Sequence, residues 1–215
     1  MKRLAALLLA LACGAALAQG SHHTHQHRFT DAEKWAKEFD DPARDEWQKP
    51  AEVIRALALA PDARVADVGA GTGYFAVRLA RAVPRGTVYA VDLEKDMVRY
   101  LGERAKKEGL ANLVPVLGAP ESPKIPAPAN LVLVVDTYHH VDHRVEYFRR
   151  LRASLAPGGR VAIVDFNETS KIGPPPQARV PAATVKAELA KAGYALEAEH
   201  AFLPNQYFLV FRAAN

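Results

Sequence analysis

Three glycines at alternate positions, Gly69, Gly71 and Gly73, are the feature that most restricts how this chain can fold. Residues 65–68 before them are mostly apolar and have the character of a buried strand, whereas residues 74–81 carry apolar side chains at helical spacing. Glycine has no Cβ and tolerates positive φ, so a strand can turn tightly into a helix here and bring its backbone close to a ligand. We therefore expect a strand, a ligand-binding turn and a helix at the centre of an α/β domain.

Two further residues indicate which ligand the turn accepts. A dinucleotide-binding turn has the spacing G-x-G-x-x-G, which would require glycine at the position of Tyr74. Asp67, two residues before the first glycine, would repel a pyrophosphate but could pair with an ammonium group. The turn therefore suits an uncharged or zwitterionic nucleoside better than NAD.

The D-x-G-x-G-x-G pattern formed by Asp67 and the three glycines resembles the first motif of the class I S-adenosylmethionine-dependent methyltransferases. The resemblance extends over about residues 61–164. It includes a helix predicted over residues 144–155 and a leucine-x-proline-glycine-glycine motif whose residues 157–159 are predicted to form a turn. It implies S-adenosylmethionine as the cofactor, bound by Asp67 and the three glycines, and a methyl acceptor as the substrate.

Further strand patterns complete the predicted sheet. They are at residues 86–92, 112–117, 131–135, 160–165, 194–202 and 206–211. Pro115 places the third strand at or near an edge, because proline cannot donate to a neighbouring strand. Residues 166–180, with three consecutive prolines, are expected to form an irregular loop over the substrate. With the resemblance, this predicts an α/β fold: a Rossmann-like, seven-stranded, mostly parallel sheet with helices on both faces and an antiparallel last strand.

Acidic and imidazole side chains directly follow two of these strands. Asp92 ends the second strand, where it could accept hydrogen bonds from the ribose hydroxyls of a nucleoside. Asp136, Tyr138, His139 and His140 follow the fourth strand, and strand carboxyl ends line the ligand crevice of an open α/β sheet. Asp136 is therefore predicted to contact the cofactor or orient the substrate. His139 or His140 is the predicted catalytic base, since imidazole titrates near neutrality.

Other interpretations of these side chains stay open. One histidine of the pair could pack against the backbone while the other faces solvent. Asp142, His143 and Asp165 would supply further oxygen and nitrogen ligands for a divalent ion. Adjacent residues of one loop cannot all converge, however, and no metal is predicted. Glu121, after the third strand, could bind the adenine amino group in place of the acid that the resemblance leads us to expect.

Residues 1–18 have the pattern of a secretory signal peptide. Lys2 and Arg3 precede an apolar run at residues 4–11, and residues 16–18 offer an A-x-A cleavage site. Cleavage predicts a periplasmic or secreted protein that lacks the single cysteine, Cys13; lipoprotein processing at Cys13 is the alternative. The apolar run is too short to span a bilayer, so we expect no stable membrane insertion.

The composition of the remaining chain narrows the class of partner. The formal charge is +4 and falls to +2 without residues 1–18, a surplus too small to favour nucleic acid. A histidine tract follows the cleavage site and either binds Cu, Ni or Zn or forms a disordered leader. Its members are His22, His23, His25 and His27.

Residues 19–60 are predicted to form this leader and a helical arm before the main domain at residues 61–215. A capping box of Thr30 and Glu33 predicts a helix over residues 31–39, and two more helices are predicted to begin at Asp41-Pro42 and at Pro50.

The resemblance implies that such an arm lies across the cofactor as a lid, so residues 44–50 are candidates for cofactor or substrate contact. Alternatively, Trp35, Phe39 and Trp47 simply pack on the helices of the sheet.

Three functions are compatible with these patterns. The leading hypothesis is an enzyme that transfers a methyl group from S-adenosylmethionine to a small molecule such as a thiol, a phenol or a carboxylate. An NAD-linked reductase is a weaker alternative, because Tyr74 and Asp67 disfavour it. A third is an exported, non-enzymatic protein that binds a nucleoside or a metal. The oligomeric state has no sequence signal.

Overall fold

The computed structural model describes residues 29–214. The predicted signal peptide and the histidine tract lie outside these residues. A single seven-stranded sheet has the order β3-β2-β1-β4-β5-β7-β6. The strands are β1 (Arg64–Val68), β2 (Thr87–Asp92), β3 (Leu113–Leu117), β4 (Ala129–Val135), β5 (Leu155–Phe166), β6 (Tyr194–His200) and β7 (Gln206–Ala213). β7 is antiparallel to both of its neighbours, and β3 lies at an edge, so both predictions are confirmed.

Helices cover both faces of the sheet. They are α1 (Ala32–Phe39), α2 (Arg44–Gln48), α3 (Pro50–Ala56), α4 (Tyr74–Ala82), α5 (Lys95–Lys107), α6 (Arg144–Leu151) and α7 (Ala182–Lys191). Two apolar clusters result, one beneath α3, α4 and α5 and one beneath α6 and α7. β4 is apolar on both faces because it lies in the middle of the sheet, where both clusters meet it. The predicted Rossmann-like architecture is confirmed.

The predicted turn at residues 157–159 is instead part of β5. Ala129 pairs with Leu155 and Leu131 pairs with Arg160, so the proline and the two glycines form a bulge between these pairs. Gly158 there has φ +71°, a conformation that glycine tolerates. The preceding helix was predicted over residues 144–155, but α6 ends at Leu151 and a 3₁₀ turn follows it.

The arm contains the three predicted helices with corrected boundaries. The residue that caps α1 is Asp31 and not Thr30, because the Asp31 carboxylate accepts the backbone N–H of Lys34 at 3.1 Å. α2 begins at Arg44 after a turn in which Asp41 accepts the N–H of Ala43. α3 begins at a proline, as predicted.

The loop between β5 and α7 is irregular apart from a 3₁₀ turn at Pro176–Ala178. Arg179 holds it together, since its guanidinium donates to the carbonyl oxygens of Pro174 at 2.8 Å and Ser170 at 2.9 Å. None of the helices within residues 29–214 has the length and apolarity that a bilayer crossing requires.

Candidate active site

The glycine turn connects β1 to α4 and has the predicted left-handed backbone. Gly69, Gly71 and Gly73 have φ values of +77°, +53° and +97°. A Cβ on Gly69 would lie 2.2 Å from Oγ1 of Thr137, so the turn packs directly against the segment that follows β4. This contact joins the predicted cofactor turn to the predicted catalytic segment, and a side chain at Gly69 would separate them.

Asp92 lies beside this turn at the end of β2. Its Oδ2 accepts the N–H of Gly71 at 2.8 Å and its Oδ1 accepts the N–H of Glu94 at 3.0 Å. Burial raises the pKa of Asp92, and these backbone donors oppose that effect. The structure thus brings Asp92 to the turn, as the ribose assignment requires.

Asp67, in β1, is buried with 3% of its surface exposed. Burial raises the pKa of Asp67 to about 7, the charge of Asp92 adds to this, and the Ala76 N–H and the charge of Arg44 act against it. A bound cation would stabilise the ionised form of a carboxyl group in this environment. The predicted pairing with an ammonium group would supply one.

These residues fit S-adenosylmethionine. The turn offers backbone without side chains, and the carboxyl groups of buried Asp67 and half-buried Asp92 provide acceptors for an ammonium group and for ribose hydroxyls. In addition, Oγ1 of Thr72 is buried, and among residues 29–214 it has no hydrogen-bond partner. A buried hydroxyl without a partner is costly unless a ligand or a water satisfies it.

Asp136 follows β4 with φ +52°, and three donors surround its carboxylate. Nε2 of Gln48 is 2.8 Å from Oδ2, Nη2 of Arg44 is 3.4 Å from Oδ2, and Nε2 of Gln206 donates to Oδ1. Burial raises the pKa of Asp136 to about 6, and the charge of Arg44 is the main opposing effect. Gln48 belongs to the segment at residues 44–50 that was predicted to contact the cofactor or substrate, whereas Gln206 was not predicted, because a lone glutamine carries no motif.

His139 lies on the 3₁₀ turn after β4 and is bound to Asp165 at the end of β5. Its Nδ1 is 2.9 Å from both carboxylate oxygens, and its backbone N–H donates to Oδ2 at 3.2 Å. His139 is 8% exposed and Asp165 is 1% exposed. Burial lowers the pKa of His139, but the hydrogen bond and charge of Asp165 outweigh it, so the pKa is raised above its ordinary value.

His140 has different surroundings. It is half-buried, its ring lies 4.1 Å from that of His139, and the ring of Phe29 lies 5.9 Å from it. Phe29 in turn contacts Trp35 and Phe39, which stack on each other at 5.3 Å. His140 therefore faces the aromatic side chains of the arm, whereas His139 faces a carboxylate of the core.

Polar contacts fasten the arm over this edge of the sheet. The guanidinium of Arg44 lies 4.1 Å from the centre of the Tyr74 ring, and the Tyr74 hydroxyl donates to Asp45. Asp45 also pairs with Arg78 at 2.9 Å. Tyr74, which replaces the third glycine of a dinucleotide turn, thus anchors the helix that carries Arg44 and Gln48.

The aromatic residues of the arm contact one another and the sheet edge. A Cβ on Gly71 would lie 3.3 Å from the ring of Phe39, and Trp47 lies 5.9 Å from Phe166, the last residue of β5. The arm therefore covers the glycine turn, as a lid would.

Other candidates from the sequence are not part of this cluster. Glu121 is exposed in a short bridge between Ala119 and Ser122. His143 is exposed and precedes α6 with φ +48°. Residues 29–214 contain no group of three or more histidine, cysteine, aspartate or glutamate side chains that could hold a metal ion.

The structure is a Rossmann-like domain with a glycine turn at the carboxyl edge of its sheet. Residues 65–159 match a protein family described as "Methyltransferase domain".

Curated relatives carry the name ubiquinone/menaquinone biosynthesis C-methyltransferase UbiE. The protein from Pseudomonas entomophila is 31% identical over 114 residues, which are 51% of this chain and 44% of the relative. The protein from Cupriavidus taiwanensis is 30% identical over 122 residues, covering 55% of this chain and 49% of the relative. The chain thus spans about half the length of the curated relatives that it matches.

Solved structures match over most of the chain. A SAM dependent methyltransferase from Aquifex aeolicus is 27% identical with a TM-score of 0.79, covering 86% of this chain and 99% of that chain. The CcbJ methyltransferase from Streptomyces caelestis, 19% identical with a TM-score of 0.70 over 84% of this chain and 96% of that chain, shares the fold. Residues 65–159 therefore match a methyltransferase domain, and most of the chain is similar in sequence and fold to a SAM dependent methyltransferase.

Proposed function

We propose that this protein transfers a methyl group from S-adenosylmethionine to a small-molecule acceptor. The observation that carries the proposal is the direct packing of the glycine turn on Thr137, which brings Asp67 and Asp92 to the same edge of the sheet as Asp136 and His139. A cofactor held by the first two residues would present its reactive end to the second two.

The residues divide into two groups by role. Asp67 pairs with the cofactor's ammonium group, Asp92 accepts from its ribose hydroxyls, and the glycine turn allows close approach of the backbone. When bound, S-adenosylmethionine supplies an electrophilic methyl group on a sulfonium. Asp136 orients the ligands with the amide groups of Gln48 and Gln206 around it.

His139 is the catalytic base in this proposal, and not His140. The Asp165 carboxylate fixes the ring of His139, and the ring of His140 lies between those of His139 and Phe29. Alignment of the reacting groups supplies roughly 7–11 kcal/mol of barrier reduction, and a base adds roughly 10²–10⁴-fold when the acceptor arrives protonated.

The acceptor is a small organic molecule. The name of the relatives, a ubiquinone/menaquinone biosynthesis C-methyltransferase, supports an organic ring compound over a macromolecule. The small basic surplus of the chain supports the same choice. We further propose that residues 1–18 direct the protein to the periplasm or outside the cell, and fractionation of a tagged full-length protein tests this.

Calorimetric titration of the protein with S-adenosylmethionine, NADH and Cu²⁺ discriminates this function from reductase and metal-capture functions. We expect binding of S-adenosylmethionine, weakened by Asp67→Ala and unchanged in the control variant Asp62→Ala, which removes an exposed aspartate before β1. Release of S-adenosylhomocysteine in the presence of an acceptor then measures turnover. Absence of heat with S-adenosylmethionine would refute the proposal.

A further inference from the structure

Asp165 carries more hydrogen bonds than its place in a strand requires. Its Oδ1 accepts the N–H of Phe166 at 2.7 Å and its Oδ2 accepts the N–H of His139 at 3.2 Å, while Nδ1 of His139 is 2.9 Å from both. Because two backbone donors already point at its oxygens, the carboxyl group acts as an ionised acceptor. Nδ1 must then be the nitrogen that carries the proton.

This tautomer leaves the lone pair of neutral His139 on Nε2. Within residues 29–214, Nε2 has no hydrogen-bond partner, and solvent can reach it. A fixed imidazole with one nitrogen bound to a buried carboxylate and the other open is the arrangement of a general base.

The ion pair of His139 and Asp165 is not explained by a contribution to folding stability. Among the described residues the ion-pair partner of Asp165 is His139, a group that is charged only when protonated. Removing a carboxylate from water costs several kcal/mol, and a buried pair commonly repays little more than that cost. Apolar residues of similar size would stabilise this position at least as well.

Four titratable or charged groups face His139 from the elements around it. They are Asp165 on β5, Asp136 after β4, Arg144 on α6 and the neighbouring His140. The two carboxylates favour the protonated imidazole and Arg144 disfavours it.

We propose that Asp165 is a positioning residue for His139, and that the pair selects acceptors that arrive with an acidic proton on oxygen or sulfur, namely hydroxyl compounds of the phenol or enol type and thiols. The inference rests on the proposed methyl transfer. The acceptor would give its proton to Nε2, and an electron pair of the acceptor would form the bond to the methyl carbon of S-adenosylmethionine. The bond between this carbon and the sulfonium sulfur would break, and its electrons would move to that sulfur. The imidazolium then returns the proton to water.

Acceptors that already have an available lone pair do not need His139 and Asp165 to remove a proton. A neutral amine has a lone pair on nitrogen, and a carboxylate is ionised at neutral pH, so a base adds nothing to their attack. An acceptor of the hydroxyl or thiol type gains roughly 10²–10⁴-fold from the same base.

A panel of acceptors with matched rings tests the class. Phenol, thiophenol, aniline and benzoate derivatives are each offered with S-adenosylmethionine, and release of S-adenosylhomocysteine is measured from pH 5 to 9. We expect turnover with the hydroxyl or thiol compounds, rising with pH as His139 loses its proton. If wild-type protein binds S-adenosylmethionine but turns over amines or carboxylates alone, or none of the panel, this inference is wrong. If it fails to bind S-adenosylmethionine, the proposed function itself fails.

Asp165→Asn tests the positioning role. An amide at this position can donate to Nδ1, which would move the ring proton to Nε2 and remove the base. We expect kcat with the hydroxyl acceptor to fall by about 10²–10⁴-fold, the acidic limb of the pH profile to move to lower pH, and S-adenosylmethionine affinity to stay unchanged. Glu146→Gln is the control, because Glu146 lies on α6 and binds Arg149 and Arg150, away from the pair of His139 and Asp165. A purely structural role predicts that both variants lose thermal stability and that neither shifts the profile.

Nitrogen NMR of wild-type protein tests the tautomer even if the variant does not fold. We expect neutral His139 to carry its proton on Nδ1 and to have a pKa above that of an exposed histidine. A proton on Nε2 would overturn the inference.

Discussion

A methyl group added at Gly69 would test the contact on which the site depends. Gly69 has φ +77°, and an added Cβ would lie 2.2 Å from Oγ1, 2.6 Å from Cγ2 and 2.9 Å from Cβ of Thr137. Since real Cβ atoms do not approach other heavy atoms so closely, Gly69→Ala must push the glycine turn away from the segment after β4. The variant therefore strains the backbone and also creates a clash.

Each contribution has its own magnitude. Placing alanine in the left-handed region costs about 1–2 kcal/mol, and overpacking a filled site costs about 1–3 kcal/mol. Gly69→Ala should thus lower the free energy of unfolding by about 2–5 kcal/mol. Gly109→Ala is the matched control: φ there is +67°, and an added Cβ meets no described atom within 4 Å. Gly109→Ala should lower the free energy of unfolding by the cost of the backbone strain alone, about 1–2 kcal/mol.

Urea unfolding of the two variants measures the difference, which is the cost of the clash. Thr137→Ala removes Oγ1 and Cγ2, so the double variant with Gly69→Ala should recover part of the loss. Calorimetry should show weaker binding of S-adenosylmethionine to Gly69→Ala and unchanged binding to Gly109→Ala. Equal destabilisation by the two single variants would refute the packing of the glycine turn on Thr137.

Three more predictions concern charged residues of the site and of the arm. The affinity for S-adenosylmethionine should increase as the pH rises through about 7, where Asp67 ionises and can pair with an ammonium group, and Asp67→Asn should flatten this dependence in calorimetric titrations. Without the cofactor, the raised pKa of Asp67 makes the folded protein less stable as the pH rises, because the buried carboxyl group must lose its proton. The free energy of unfolding should decrease between about pH 4 and 7, by at most about 4 kcal/mol. Urea unfolding at several pH values should show this decrease in the wild-type protein and not in Asp67→Asn. Asp40→Asn should loosen the arm, because Asp40 pairs with Arg104 at 2.8 Å. Hydrogen exchange should increase at residues 31–48 and not in the sheet, as expected for the loss of about 0.5–1 kcal/mol of local stability. An equal increase of exchange throughout the protein would contradict this prediction.

Much of the fold was predictable because local patterns determine it. The alternation of apolar strands and helical segments predicts a parallel sheet, and Pro115 correctly places β3 at an edge. Boundaries were less predictable, since a pattern does not show which of several competing caps forms. Asp31 displaces Thr30 at the start of α1, and the proline-glycine-glycine segment pairs within β5 instead of turning before it.

The candidate site separates into residues that carry a motif and residues that do not. Asp67 and the glycines have a spacing that binding imposes on neighbouring positions, so the sequence reveals them. Gln48 and Gln206 come from segments 158 positions apart, and no local pattern marks either of them. They reach Asp136 because α2 lies over the sheet edge and β7 begins beside the end of β5.

The sequence by itself determined the sheet, the glycine turn and the presence of two histidines near the reacting end, because each depends on the spacing of residues along the chain. It could not distinguish His139 from His140, since adjacent histidines have the same local context. Tertiary structure gives them different neighbours: β4 and β5 are adjacent in the sheet, so the end of β5 presents Asp165 to Nδ1 of His139, while the arm presents Phe29 to His140. Which nitrogen holds a proton depends on a residue 26 positions away, and only the folded chain brings it within hydrogen-bonding distance.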